Sequence, residues 1–303
     1  MHMSVWTGTA RVLASMKDKW HGTLVFIGQP AEEIGSGARM MLEAGLFRKF
    51  PRPDYALALH CAHNLEHGSV AYTEGLALAN VDSVDILVHG KGGHGAAPHT
   101  TIDPVVIAAR IVLDLQTLVS RETNPTDPAV VTVGSIHGGS KHNIIPNEVR
   151  LQLTVRSTKD AVRKHLLDGI RRIAEAAAKS AGAPTPEVKI RPDEFTPALM
   201  NDPALTQKTV ALFKDVLGAE KVSPRPPMMG GEDFSRYGRA KVPICLFWLG
   251  TIAPERVAES QREGAPPLPS LHSDQFAPVP EPTIKTGVLA MSLAVLNLLN
   301  EKR

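Results

Sequence analysis

The order of elements predicted in the middle of the chain strongly limits how the protein can fold. Apolar residues at strand or helix spacing predict six elements, which are a strand at Val84–Val88, a helix at Val105–Val119, strands at Val130–Val133 and Val149–Val155, a helix at Ala161–Ala178 and a strand at Val188–Ile190. The order β-α-β-β-α-β is the split βαβ arrangement, a compact unit with its own sheet. We therefore expect this part of the chain to form a separate domain.

The residues on both sides of this unit alternate helices and buried strands. The predicted elements are a helix at Val5–Met16, strands at Thr23–Gly28 and Asp54–His60, a helix at Pro203–Leu217, a strand at Pro243–Leu249 and a closing helix from Pro282. Strands that are apolar throughout are typical of a parallel sheet covered by helices. The sequence therefore predicts an α/β fold in which residues 1–80 and 193–303 form one domain and residues 81–192 form an inserted one.

Composition excludes several classes of protein. The 303 residues are 43% apolar and 21% charged, and 33 basic against 31 acidic residues give a net charge of +2. This near-balance lacks the basic surface of a nucleic-acid-binding protein. The two cysteines, Cys61 and Cys245, lie in apolar runs and are expected to be buried free thiols, as in a reducing cytoplasm. The apolar region Gly287–Leu299 is expected to be too short to cross a membrane.

Two adjacent carboxylates, Glu32 and Glu33, follow the first predicted strand, at the sheet edge where α/β proteins bind their ligands. One carboxylate of such a pair can bind a cation while the other acts as a general base toward water. The alternative is an acidic pair that complements a helix dipole, which is commoner for such a pair considered alone. His60 ends the second predicted strand at the same edge, and His272 lies in a polar loop, although a single histidine is more often structural.

Two glycine-rich clusters lie in the predicted inserted domain, at Gly92–His99 and Gly138–Pro146. Glycine lets a backbone approach closely, and His or Asn side chains can donate hydrogen bonds to a developing oxyanion. The alternative is a pair of turns at strand ends, and the residues alone leave both readings open. Neither cluster matches a phosphate-binding loop, and the chain has no GxSxG motif of a serine esterase.

Ten short blocks along the chain together resemble the M20 metallopeptidase family. In chain order the blocks are Gln29–Glu33, Leu59–His60, Gly90–His99, Asp103–Pro104, Leu115–Gln116, Ser120–Glu122, Gly138–Gly139, Asn143–Pro146, Gly231–Phe234 and Leu271–Ser273. They are most similar to the branch of amidohydrolases that act on N-acyl amino acids, such as hippurate hydrolase and the indole-acetyl-amino-acid hydrolases. The resemblance implies a zinc-peptidase-like catalytic domain with a ferredoxin-like lid and dimerisation domain inserted in it.

The resemblance also implies a role for individual residues. Glu32 would be the general base, and Glu33, His60 and His272 would be ligands of divalent metal (Zn, Mn, Co or Ni). Glu33 and His272 would share one metal, and His60 would be the only matched ligand of the other. His94 and Asn143, on the lid, would complete an active site, that of the partner subunit in a homodimer, by binding the scissile carbonyl or its oxyanion. The substrate would be a small N-acyl or N-aroyl amino acid, and neither nucleic acid nor membrane would be a partner.

The chain departs from the family pattern at its start. Relatives have a Cys-Gly-His-Asp-x-His motif there, whose Cys and first His bind the dinuclear metal site. His2 matches the last His of that motif, which is not a ligand. The pattern therefore implies an incomplete dinuclear site in this chain. The alternative to an active hydrolase is a noncatalytic fragment or dimerising scaffold.

Overall fold

A computed structural model describes residues 1–300 of the chain. The strands are β1 (Ala56–Glu66), β2 (Val70–Tyr72), β3 (Gly75–Leu78), β4 (Asn80–His89), β5 (Gly93–His94), β6 (Ala129–Gly138), β7 (Ile144–Ile145), β8 (Glu148–Ser157), β9 (Glu187–Ile190), β10 (Leu199–Asn201), β11 (Val222–Pro224) and β12 (Ile244–Ile252). The helices are α1 (His2–Ser15), α2 (Gly37–Glu43), α3 (Leu46–Lys49), α4 (Pro104–Thr117), α5 (Asp160–Ser180), α6 (Pro203–Leu217), α7 (Ser235–Arg239), α8 (Pro254–Ser260) and α9 (Pro280–Leu299).

The sheet that positions the candidate site has the strand order β1-β12-β2-β11. Strands β1 and β12 are parallel, with Ala56 opposite Ile244 and Ala62 opposite Gly250. Every residue of β12 is buried, because helices and neighbouring strands cover both of its faces. The prediction of a buried, continuously apolar strand at Pro243–Leu249 is therefore confirmed.

The predicted strand at Thr23–Gly28 does not form. The segment has no regular secondary structure, and no described strand pairs with it. Its apolar side chains are still partly buried, and the Phe26 ring packs edge to face on Trp6 with centroids 5.3 Å apart. Apolar character was enough to bury the segment, but a strand also needs a neighbouring strand for its hydrogen bonds.

Strand β1 is longer than expected, which changes the position of His60. The strand continues to Glu66, with an irregularity in its register between Ala62 and Glu66. His60 therefore lies in the interior of the strand and does not end it. The period of the apolar run located the strand, but it could not show that Cys61, Ala62 and Glu66 also pair with β12.

The middle of the chain forms the expected β-α-β-β-α-β unit. Strands β4, β6, β8 and β9 make an antiparallel sheet with the order β6-β8-β4-β9, and α4 and α5 pack against it. The buried residues of its core all come from the range 84–178. Such an independent core supports an inserted domain, while the boundaries 1–80, 81–192 and 193–303 stay predictions. The last three residues of the third segment lie outside the described residues.

Helix α9 is longer than the apolar region seen in the sequence. Its 20 residues from Pro280 to Leu299 are long and apolar enough, by length and composition, to cross a membrane. The expectation considered only Gly287–Leu299, and the full length of the helix no longer excludes a membrane span on grounds of length. Ala290 and Ala294 pack in a core cluster with Val5 and Phe247, which gives the helix a place against α1 and β12 in the folded chain.

Candidate active site

The two adjacent carboxylates lie on a short, tightly folded turn of residues 30–37, the Glu32 turn. Glu32–Ile34 forms one turn of 3₁₀ helix, preceded by Ala31 at φ +55° and followed by Gly35 at φ +62°. A non-glycine residue with positive φ is uncommon and costs free energy, so neighbouring contacts must hold it. Helix α2 begins only at Gly37. The carboxylates are therefore not in the first turn of an α-helix, which argues against the dipole interpretation.

Glycine is required where this turn closes. A Cβ atom added to Gly37 would lie 1.6 Å from the carbonyl oxygen of Pro30. The amide of Ser36 also donates to the carbonyl of Ala31 at 3.2 Å, so the two ends of the turn are in contact. This closure fixes the backbone on either side of Glu32.

Glu32 belongs to a cluster of three carboxylates. Its carboxyl oxygen and those of Glu232 and Asp233 lie within 4.8 Å of one another, and they form the one group of this kind among residues 1–300 that could hold a metal ion. Glu232 and Asp233 are 7% and 0% exposed, and Glu32 is partly buried. Sequence reasoning assigned no role to Glu232 or Asp233, although their block carried part of the resemblance. A second pair of adjacent carboxylates after two glycines was the available signal.

Burial and mutual repulsion change the acidity of these groups. Partial burial, and then the charges of Glu33 and Asp233, raise the pKa of Glu32 to about 7. Burial, and then the charge of Glu32, raise the pKa of Glu232 to about 8. A carboxylate whose pKa is near neutrality can both accept and return a proton, which suits a general acid–base catalyst.

Glu33 and His272 come together although 238 positions separate them in the sequence. The His272 Nε2 atom lies 3.5 Å from the Glu33 Oε2 atom, and the side chains are 79% and 77% exposed. His272 also acts on Glu32, since it lowers the pKa of that carboxyl and partly offsets the other influences. The structure thus places three of the six predicted residues around one turn.

His60 lies beside His2 and has one ring nitrogen available. The two rings meet edge to face with centroids 5.1 Å apart. The His60 Nδ1 atom is 2.8 Å from the carbonyl oxygen of Cys61, so a neutral ring that donates there leaves Nε2 free as a ligand. His2 Nε2 accepts from the Cys61 amide at 3.0 Å, and burial followed by the charge of His60 lowers the pKa of His2 to about 4. His60 is not a member of the compact carboxylate cluster.

His94 and Asn143 lie together on a separate two-stranded ribbon formed by β5 and β7. His94 is opposite Ile144, and the Gly95 amide donates to the Asn143 carbonyl at 2.8 Å. The His94 Nδ1 atom accepts from the Ala96 amide at 3.1 Å, which leaves the proton of a neutral ring on Nε2. Both residues are exposed. Within residues 1–300, no hydrogen bond or ion pair joins this ribbon to the Glu32 turn.

Neither cysteine has the properties of a nucleophile. Cys61 and Cys245 are free and buried, as the sequence predicted. Burial raises the pKa of each thiol to about 11, so almost no thiolate is present at neutral pH. Covalent catalysis by a thiol is therefore not supported.

The buried carboxyl of Glu232 makes stability depend on pH. Between its ordinary pKa of 4.5 and its folded value of about 8, the folded state holds a proton that the unfolded state does not. The free energy of unfolding contributed by this group therefore falls as pH rises through that window. We expect Glu232→Gln to stabilise the metal-free protein at about pH 8, on the order of 1–3 kcal/mol, because it removes a poorly compensated buried charge.

Thermal melts at about pH 5 and pH 8 check this expectation, since the gain should nearly vanish at the lower value. The exposed carboxylate of Glu263 provides the matched control, Glu263→Gln, which should leave both melts unchanged. Equal effects of Glu232→Gln at the two pH values would contradict the assigned protonation.

Comparison with known proteins connects this geometry to a family. The family model described as peptidase family M20/M25/M40 matches residues 1–269. The chain belongs to this family. This M20 chain is 35% identical over 302 residues to thermostable carboxypeptidase 2 of Saccharolobus solfataricus. That alignment covers 99% of this chain and 72% of the carboxypeptidase. It is also 34% identical over 258 residues to N-acetylcysteine deacetylase of Bacillus subtilis (strain 168). This second alignment covers 84% of the chain and 64% of the deacetylase.

A solved structure agrees with the fold of the M20 chain. The Bacillus subtilis YxeP protein, described as a dinuclear metal-binding peptidase of family M20, aligns with a TM-score of 0.74 at 27% identity. The alignment covers 98% of this chain and 71% of that one. The family resemblance and the α/β fold class are thereby confirmed. Membership also confirms that the chain is a hydrolase of the M20 peptidase type, a class that acts on amide bonds.

Proposed function

We propose that this M20 hydrolase cleaves the amide bond of N-acyl amino acids, including N-aroyl ones, and releases a carboxylic acid and an amino acid. The observation that carries the proposal is the position of Glu32, partly buried against Glu232 and Asp233 and next to the Glu33–His272 pair. A base with a raised pKa beside potential metal ligands is the arrangement that metal-assisted hydrolysis needs. The similarity to an N-acetylcysteine deacetylase supports an N-acyl amino acid as substrate.

The donor atoms of the proposed ligands suit divalent metals. Glu33, His60 and His272 offer a carboxylate oxygen and two imidazole nitrogens, which are donors that Zn, Mn, Co and Ni accept. His60 already directs Nδ1 to a backbone carbonyl, as metal-binding histidines commonly do. The dinuclear metal site of the YxeP protein supports metal dependence here. When bound, such a cation polarises the substrate carbonyl and lowers the pKa of a water molecule.

The residues of the chain then have distinct tasks. Glu32 takes a proton from the attacking water and gives that proton to the amide nitrogen as the carbon–nitrogen bond breaks, so that a neutral amine leaves. His94 donates from Nε2, and Asn143 from its amide group, to the carbonyl oxygen that becomes negative during attack. We place these two donors over the site of a second copy, in a homodimer formed through the inserted domain, because both are exposed and unconnected to the Glu32 turn of their own chain.

The remaining parts of the proposal follow from the sequence. The domain of residues 1–80 and 193–303 would carry the chemistry, and residues 81–192 would be the lid and dimerisation domain. We also propose a cytoplasmic location, because both cysteines are free.

An assay of amine release tests the proposed function. The protein is loaded separately with Zn, Mn, Co or Ni and given N-acetyl and N-benzoyl amino acids. We expect release of the free amino acid, its loss on addition of a chelator, and its return when metal is added back. No release with any metal and substrate, or release that a chelator leaves unchanged, would contradict the proposal. The first of these results would support the scaffold alternative.

A further inference from the structure

We infer that Asp233 is a positioning residue that holds the Glu32 turn by both of its ends. This inference rests on the proposed role of Glu32 as the general base. Asp233 is fully buried at 0% exposure, 201 positions after Glu32 in the sequence. A buried carboxylate is costly unless hydrogen bonds satisfy it, so its partners indicate its purpose.

Both oxygens of Asp233 accept hydrogen bonds from the segment that carries the candidate base. The Ala38 amide donates to Oδ2 at 2.9 Å, and the side-chain amide of Gln29 donates to Oδ1. Gln29 precedes Glu32 by three residues and Ala38 follows it by six. One carboxylate therefore joins the entry and the exit of the turn.

A second side chain from the same part of the fold fixes Gln29. The hydroxyl of Tyr237, on helix α7, donates to the Gln29 Oε1 atom at 3.0 Å. The Tyr237 ring is buried and packs against Phe47 and Phe234, with centroids 5.8 Å and 5.6 Å away. The chain Tyr237–Gln29–Asp233 thus connects the turn to a packed aromatic cluster.

The turn needs this support because its own conformation is strained. Ala31 has a positive φ, and the regular structure between the two ends of the segment is the short 3₁₀ helix Glu32–Ile34. Displacement of a catalytic group by about 1 Å can cost 100-fold in rate. Each Asp233 oxygen therefore accepts a hydrogen bond from the segment that carries Glu32.

Three variants separate positioning from other roles of Asp233. Asp233→Ala removes both acceptors and leaves the Ala38 amide without a partner. Gln29→Met has a similar side-chain length but cannot bond to either Asp233 or Tyr237. Asp233→Asn still accepts from Ala38 and can donate to Gln29 if that amide turns over, after which Gln29 can donate to the Tyr237 hydroxyl.

We expect Asp233→Ala and Gln29→Met to lower kcat for an N-acetyl amino acid roughly 10- to 100-fold, with KM within about twofold. Asp233→Asn should recover most of that loss. In metal-free protein, amide hydrogen exchange of residues 30–37 should be faster in the first two variants and near the wild-type rate in Asp233→Asn. Asp82→Ala is the matched control, because Asp82 is also buried, at 1% exposure, but pairs with Arg163 in the inserted unit. It should leave exchange in 30–37 and kcat unchanged.

Two results would overturn the inference. One is an Asp233→Asn variant as slow as Asp233→Ala, since the charge and not the hydrogen bonding would then matter. The other is unchanged exchange of residues 30–37 in both Asp233→Ala and Gln29→Met. If the wild type hydrolyses no N-acyl amino acid, the proposed function fails, while the exchange experiment still decides whether Asp233 holds the turn. If Asp233→Ala does not fold, Gln29→Met and Asp233→Asn decide it.

Discussion

Replacement of Glu32 by glutamine is expected to lower kcat for N-acyl amino acids by about 100- to 10,000-fold, the usual contribution of a general base. Glutamine keeps the size of the side chain but can neither take a proton from water nor return one to the leaving amine. Metal binding and KM should change little, because the proposed metal ligands are Glu33, His60 and His272. Steady-state kinetics on metal-loaded protein, together with measurement of bound metal, check both parts of this expectation.

The matched control for this experiment is Glu43→Gln on helix α2. Glu43 is an exposed carboxylate that pairs with Arg39 and lies outside the carboxylate cluster. Its loss should leave kcat unchanged and alter stability by less than about 0.5 kcal/mol. A Glu32→Gln variant that retains wild-type kcat would show that another group moves the proton.

Replacement of Gly37 by alanine is expected to lower kcat by about 100-fold or more. The added methyl group would lie 1.6 Å from the carbonyl oxygen of Pro30, so the backbone must move. Because Pro30 and Gly37 form the two sides of the Glu32 turn, that movement displaces both adjacent carboxylates from their working positions. Kinetics give the size of the loss, and circular dichroism establishes that the rest of the chain remains folded.

The same segment provides the control, Gly28→Ala. A Cβ atom at Gly28 would have no heavy atom within 4 Å, and the residue does not have a positive φ. The substitution should therefore leave kcat within about twofold of the wild type. Equal losses from Gly28→Ala and Gly37→Ala would mean that the close contact with Pro30 is not what positions Glu32.

The inserted unit could be predicted well because its pattern is local. Strand β8 alternates between buried and outward-facing residues along most of its length, and helix α5 buries Leu166, Ile170 and Ile173 on one side. These periods of two and 3.6 residues are visible in sequence and largely decide which face meets the core. The β-α-β-β-α-β order then limits the topology to few arrangements.

Local pattern could not show whether the apolar segment Thr23–Gly28 forms a strand, and it does not form one. Apolar runs indicate burial, whereas pairing depends on which other strands come alongside. The extension of β1 beyond His60 has the same origin, because it depends on β12, which pairs with Cys61, Ala62 and Glu66. Both errors concern pairing between segments distant in the chain.

In the candidate site, some residues could be predicted from the sequence and others only from contacts in the fold. The sequence placed Glu32, Glu33 and His272 as candidates, and the fold brings them around one turn. Asp233 was missed as a functional residue because its effect arises from hydrogen bonds to Gln29 and Ala38, about 200 positions away. The spacing of residues along the chain does not predict such long-range hydrogen bonds.

A cobalt titration followed by visible absorbance is the sharpest test of the proposed metal ligands, in which Glu33 and His272 bind one cation and His60 binds a second. We expect the wild type to bind Co²⁺, and Glu33→Gln, His60→Asn and His272→Asn each to weaken binding at least about tenfold. Substitution of the exposed His137 by asparagine should have no effect. Wild-type affinity in all three variants would show that these residues do not bind the metal.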